Sequence, residues 1–236
     1  MEIGILGGTG NMGRGLTIRL AVRHDILVGS RSLEKAGRIA KNLNNVARGF
    51  YLNEMEGTIE GVLNADAIKG SEVVIVCLPA KYSLPTLEDL KENLTQEKVV
   101  VSTIVPMTRR EKLFYWTPLE EAEDPGFEGR SASEAIQEIV VPSPVVTAFQ
   151  TVPAAYLNNI DAVLNVDVLI VGDDDLALAK VSKLIRDIPN LRPLRVGPLA
   201  NSKWVESITP LLLNAAVLNG LHDPTIRVVP WMPSEE

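Results

Sequence analysis

Near the N-terminus, Gly8-Thr9-Gly10-Asn11-Met12-Gly13 has the spacing G-x-G-x-x-G. The short apolar run Glu2–Leu6 precedes it, and a segment with helical spacing (Met12, Leu16, Leu20) follows. In that context each glycine has a steric task. Gly8 permits a tight turn, Gly10 lets a pyrophosphate reach the backbone, and Gly13 lets helix and strand close up, while the helix start offers unpaired N–H groups to phosphate oxygens. A mononucleotide P-loop is excluded, because no Gly-Lys-Ser/Thr follows. Which dinucleotide binds is read at the end of the second strand, where an NAD site places Asp or Glu against the ribose hydroxyl. Here that place holds Ser30, Arg31 and Lys35, with no carboxylate before Glu34. A carboxylate would repel a 2′-phosphate, whereas a guanidinium and an ammonium one helical turn apart clamp it, so NADP is preferred over NAD.

The rest of the chain is poor in acids and bases placed for chemistry. His24 precedes the second strand and reads as a surface-turn residue; His222, in "NGLHDP", also reads as structural. Cys77, inside the apolar run Val73–Leu78, reads as a buried thiol. Gly172–Asp175, "GDDD", reads as a helix N-cap rather than a metal site, and no nucleophile elbow or Cys/His metal spacing is present. Hydride transfer fits this composition. The cofactor carries that chemistry, and the protein has only to hold donor and acceptor face to face.

Strands and helices alternate around these residues. Strands are expected at Glu2–Leu6, Asp25–Val28, Glu72–Leu78, Lys98–Ser102 and Val145–Phe149, with helices at Met12–Val22, Leu33–Leu43, Pro85–Leu94 and Ser131–Val140. That alternation implies an α/β fold, a Rossmann-type doubly wound parallel sheet with a smaller C-terminal domain. Regularity lapses from Pro106 to Gly129, across the acidic run "EEAEDPGFEG", which reads equally as a lid, an interaction surface or an insertion. Beyond it, strands at Asp167–Val171 and Leu191–Val196, a helix at Asp175–Ile188 and a long apolar helix at Asn201–Asn219 are expected. The division falls into residues 1–148, the NADP-binding domain, and 149–236, the smaller domain. The last helix is too apolar for water along its middle and points to a homodimer. A net charge of -7 argues against a nucleic-acid partner. No apolar stretch approaches the roughly 20 residues needed to cross a bilayer, and no leader opens the chain, so a cytoplasmic protein without a membrane partner is expected.

The segments "ILGGTGNMGRGL", "VGSRSLEKA", "RSASEAI", "TVPAAYLNN", "VGDDD" and "LRPLRVGPLANSKWVESITPLLLN" together resemble the F-420-dependent NADP reductases, in the same order from residue 1 to about 228. Such enzymes pass hydride between NADP and an 8-hydroxy-5-deazaflavin, coenzyme F-420. The resemblance implies phosphate contacts at Thr9, Gly10, Asn11 and Met12, and a 2′-phosphate clamp at Ser30, Arg31 and Lys35. It further implies cofactor contacts at Leu78, Pro79, Ala80 and Leu84, and a backbone hold on the nicotinamide amide at Ala154. Gln150, Val152 and Pro224 would line the deazaflavin cleft. No catalytic side chain and no metal are implied.

This chain departs from the family pattern in having Gln150 where relatives usually have His. Glutamine can donate and accept hydrogen bonds but cannot titrate near neutrality. Two further readings stay open at this level: an NADPH-dependent reductase of another flavin or quinone, and a non-enzymatic NADP-binding redox sensor. The coenzyme also carries a phosphate and a glutamate tail, for which Lys203, Arg192, Arg195 and Arg227 are the candidate cations. For the clamp, Arg31→Ala is expected to weaken NADPH binding far more than NADH binding. Equal losses in a fluorescence titration of the two cofactors would mean that Arg31 does not touch the 2′-phosphate.

Overall fold

Apolar runs without polar alternation make strands that are buried on both faces. The computed structural model describes residues 1–119 and 129–229, and its central sheet is built largely of such strands, with the half-buried Ile59–Leu63 at one edge. These are β1 (Glu2–Leu6), β2 (Asp25–Ser30), β3 (Ile59–Leu63), β4 (Val73–Val76), β5 (Val99–Ser102) and β8 (Val145–Thr147), ordered β3-β2-β1-β4-β5-β8 with every neighbouring pair parallel. Alternate side chains feed two cores. Ile3, Ile5, Val73 and Ile75 pack with Leu16 of α1 (Asn11–Leu20) and Leu43 of α2 (Leu33–Tyr51). Leu6, Val74 and Val76 pack instead with Ile68 of α3 (Asn64–Lys69), Leu87 of α4 (Ala80–Leu90) and Ile136 of α5 (Ala132–Val140). This is the doubly wound arrangement expected from the alternation of elements.

Several bounds differ from expectation, each for a local reason. Helix α2 runs on to Tyr51 because Ala36, Ala40, Leu43 and Ala47 keep one buried face through the polar stretch after Leu43. Helix α4 begins at Ala80 rather than Pro85, and Pro85 lies within it. Strand β3 and helix α3 were not expected at all. The strand is only half-buried, and Gly61 stands at its centre because a Cβ there would lie 2.3 Å from the backbone of Ala36 on α2. Part of the stretch read as irregular is a hairpin, β6 (Met107–Arg110) against antiparallel β7 (Leu113–Trp116). Residues 120–128, with most of the acidic run, lie outside the described residues.

Past β8 a smaller parallel pair forms, β9 (Val166–Ile170) and β10 (Leu191–Arg195), connected by α7 (Asp175–Arg186) and followed by α8 (Ser202–Asn219). Asp174 caps α7 by accepting from Ala177 N–H at 2.7 Å, as the reading of "GDDD" as a helix start expects. A bridge from Thr147 to Val171 ties the pair to the main sheet. His24 is buried rather than in an exposed turn: its Nε2 lies 3.0 Å from Asp187 at the end of α7, and burial lowers its pKa against the pull of that carboxylate.

Two features fix the chain between the sheets. Phe149 has φ 73, the left-handed region, and its ring is fully buried. That conformation costs about 1–2 kcal/mol for a residue with a side chain, and the burial of the ring offsets it. The chain is thereby turned out of β8 into Gln150–Pro153 and the short helix α6 (Ala154–Asn158). Arg19 of α1 then holds α6 from below. Its guanidinium donates to the carbonyls of Tyr156, Leu157, Asn159 and Ala162 at 2.6–3.2 Å. Gly15 lets the two helices touch, since a Cβ there would lie 2.4 Å from Cβ of Leu157.

Candidate active site

At the carboxyl ends of β1, β2, β4 and β5 the strands open into a cleft of about 750 Å³. Thr9, Gly10, Asn11 and Met12 form its floor. Gly7, which sequence reasoning passed over, has φ +70, and a Cβ on it would meet the Cys77 carbonyl at 2.9 Å. Gly8 and Gly13 do not line the cleft. They make its floor buildable, because a Cβ on Gly13 would lie 2.5 Å from Gly8 Cα, and one on Gly8 would lie 2.9 Å from the Ile5 carbonyl. No side chain caps α1 at Gly10, so the free N–H groups of its first turn are left for a ligand.

Ser30, Arg31, Ser32 and Lys35 make one end wall of this cleft. Ser32 caps α2, its Oγ accepting from Lys35 N–H at 3.2 Å, and Ser30 Oγ accepts from Ser32 N–H. The guanidinium of Arg31 stands 5.7 Å from the ring centre of Tyr82. Leu78, Pro79 and Ala80 line the opposite side, whereas Leu84 packs into the core under α4 and does not reach the cleft. Asn64, missed together with β3, contributes a buried Oδ1 that has no partner. Cys77 lines the cleft too, but burial pushes its thiol up to about 12, so it stays protonated.

A second cavity of about 300 Å³ adjoins the first, and Met12, Thr103, Val105 and Met107 line both. Gln150, Val152 and Pro224 lie on it, and so does Ala154, which does not line the first cleft. Thr209, Leu212 and Leu213 of α8 and Asp223 complete it. Gln150 is fixed by donating from Nε2 to the Ser102 carbonyl at 2.8 Å, while its buried Oε1 is left without a partner. Thr209 Oγ1 donates to the Gln150 carbonyl and Thr225 Oγ1 to that of Thr151, both at 2.8 Å, so α8 and the C-terminal segment each grip this wall. Thr103 and Val105 follow β5, where ligands of parallel sheets bind, and that topological rule could have found them.

Residues 2–106 match the family model described as NADP oxidoreductase, coenzyme F420-dependent. The F420-dependent NADP reductase of Methanocaldococcus jannaschii is 39% identical over 97% of this chain and 98% of its own length. The chain belongs to the F420-dependent NADP reductases. The Methanothermobacter thermautotrophicus reductase is 28% identical over all of this chain and 97% of its own. Among solved structures, a protein from Arthrobacter sp. FB24 described as a candidate F420-dependent NADP reductase shares the fold, with a TM-score of 0.73 at 20% identity over 98% of this chain and 100% of that one. A Streptomyces aurantiacus imine reductase shares it more loosely, with a TM-score of 0.59 at 16% identity over 92% of this chain and 63% of its own.

In this reductase the cations expected to serve the coenzyme tail are placed elsewhere. Arg192 and Arg227 both bind Asp167, Arg195 binds Asp175, and Lys203 stands 5.0 Å from the Trp116 ring centre; none lines the second cavity. Asp167 is fully buried, and its hydrogen bonds from Arg192 hold its carboxyl below the usual range despite that burial. It also accepts from Val228 N–H at 2.6 Å, which pins the segment carrying Pro224.

The reductase has a second buried carboxylate. Glu206 of α8 accepts from the N–H groups of Ala132 and Ser133, from Ser133 Oγ and from Trp116 Nε1, at 3.1–3.3 Å. It thus fastens α8 to the start of α5 and to the β6–β7 hairpin. Burial outweighs those donors and pushes its carboxyl up to about 7. A carboxyl whose folded pKa lies above its ordinary 4.5 binds its proton more tightly when folded. Its contribution is therefore fully present below that value and lost as pH rises through about 7. Relative to Glu206→Gln, the wild type should lose on the order of 1–3 kcal/mol of unfolding free energy between pH 5 and pH 8 in urea denaturation. Parallel pH profiles for the two proteins would show that Glu206 is already ionised when folded at pH 5.

Proposed function

We propose that this protein transfers hydride reversibly between NADP(H) and coenzyme F420, the first cleft taking the dinucleotide and the second cavity the deazaflavin. The observation that carries the reading is the shared wall. Met12, Thr103, Val105 and Met107 border both spaces, so two flat rings entering from either side meet there. The two bound coenzymes supply the hydride donor and acceptor, and the chain's own task is to hold them in contact and exclude water.

The residues divide that task. Thr9–Met12 and the first turn of α1 hold the pyrophosphate. Ser30, Arg31 and Lys35 hold the 2′-phosphate, and Asn64 borders the cleft beside them. Leu78, Pro79 and Ala80 cover the other side of the dinucleotide, and Leu84 supports them from the core. Ala154, on the wall of the second cavity, holds the nicotinamide amide by its backbone where that ring reaches the shared wall, and Gln150, Val152 and Pro224 border the deazaflavin. Residues 1–148 form the NADP-binding domain, and 149–236 the smaller domain that closes the deazaflavin side. None of these roles requires a titrating side chain, which is compatible with Gln150 at a position where relatives usually have His.

Leu211, Val217 and Leu218 of α8 leave an apolar face 46–69% exposed, and a second copy of the chain covering that face makes the enzyme a homodimer. A cytoplasmic location accords with a lone reduced cysteine. No described helix is long and apolar enough to cross a membrane. Sedimentation equilibrium at micromolar concentration should give twice the mass of one chain, and a single-chain mass would refute the dimer. Mixing the protein with NADPH and oxidised F420 should bleach the deazaflavin absorbance at a steady rate. No bleaching beside unimpaired NADPH binding would refute the hydride transfer.

A further inference from the structure

Among the described residues, none that lines the second cavity is a cation. Its polar side chains are Thr103, Gln150, Thr151 and Thr209, and its one ionisable group is Asp223. Coenzyme F420 carries a phosphate and a glutamate tail beyond its ring, so a ring seated here must send several negative charges out of the cavity. The exit beside Asp223 repels them. Three basic residues of the C-terminal region are committed elsewhere, Arg192 and Arg227 to the buried Asp167 and Arg195 to Asp175.

The wall at Met107 is different. Strand β6 leaves the cavity at Met107, and alternation puts Arg109 on the same face about 7 Å further on. Arg110, which the same alternation puts on the other face of the ribbon, and Lys112 follow at the turn, where both border a hollow with Val217 and Leu218 of α8. All three are exposed, and none has a carboxylate partner among the described residues. Arg109 and Arg110 each stack on a cross-strand neighbour, 5.7 Å from the ring centres of Phe114 and Tyr115. Stacking on an aromatic face leaves the edge of a guanidinium, with its forked donors, open to phosphate or carboxylate oxygens. The carbonyl of Glu111, which stands between Arg110 and Lys112, accepts from Arg109 Nε at 3.2 Å.

We propose that the β6–β7 hairpin is the anion-binding arm of the substrate site, with Arg109, Arg110 and Lys112 receiving the phosphate and glutamate carboxylates of the coenzyme tail. This rests on the activity proposed above. The hairpin is tied to the helix that walls the cavity, because Asn214 of α8 accepts from Phe114 N–H and donates to the Phe114 carbonyl, at 2.7 and 2.8 Å. The strands that carry the cations are therefore held beside the cavity.

The test compares intact F420 with its ring fragment that ends before the phosphate, on the wild type and on Arg109→Ala/Arg110→Ala/Lys112→Ala. Affinity is read from deazaflavin fluorescence at low and high salt, with KM alongside and NADPH affinity as the check that the variant is folded. The wild type should bind the intact coenzyme about tenfold more tightly than the fragment at low salt, and this advantage should shrink at high salt. In the variant the two should bind alike. An advantage that survives in the variant, or is absent from the wild type, overturns the proposal and leaves the activity standing. Failure of both molecules to bind or turn over sinks the proposed activity, and this proposal with it.

Discussion

Helix α1 is the constraint on which both cavities depend. Its first turn makes the floor of one, and its flank carries the chain segment that walls the other. Gly13 lets it lie against the β1 turn, and Gly15 lets it lie against α6. Arg19, four residues on from Gly15, gathers four carbonyls of the segment after Pro153. A buried guanidinium without a carboxylate is tolerable because carbonyl oxygens satisfy its donors. One short helix thereby sets the separation of two binding spaces, and any tilt of it would be felt in both.

The second cavity is assembled from pieces distant in sequence, and polar fastenings hold them. Asp167 draws the C-terminal segment onto β9, and Glu206 draws α8 onto α5 and Trp116. Each is a buried carboxylate with its oxygens occupied by donors. Removing one partner of such a group is strongly destabilising, since the other is left uncompensated away from water. The direction of the donors also fixes how the pieces meet, which an apolar contact alone would leave loose. Aliphatic side chains such as Leu212 and Val152 then line the space between.

The sheet and the residues gathered at the first cleft were legible in the sequence because local patterns encode them. The strand, glycine turn and helix unit announces itself within about twenty residues, and Ser30, Arg31 and Lys35 follow at a fixed place after the second strand. Strand β3 was not legible: it is half-exposed, and a glycine demanded by α2 interrupts it. Asn64 was lost with it. The hairpin was hidden by the prolines that flank it, Pro106 and Pro118, and by the charges at its turn, and His24 by a partner 163 residues away, a separation no local pattern reports. Leu84 shows the converse, since a motif position need not reach the cleft when its helix starts earlier than expected. Thr209 and Asp223 became site residues only through packing of the C-terminal third of the chain.

The side-chain amide of Asn214 offers one acceptor and one donor to β7, the pair that a neighbouring strand would offer. A two-stranded ribbon in water has two raw edges, and each invites another chain to add itself. One carboxamide at the middle of β7 occupies the hydrogen-bonding groups of Phe114, so an incoming strand meets a gap in the ladder and the bulk of α8 behind it. The hairpin can thus carry exposed aromatic rings without becoming a seed for strand addition along that edge.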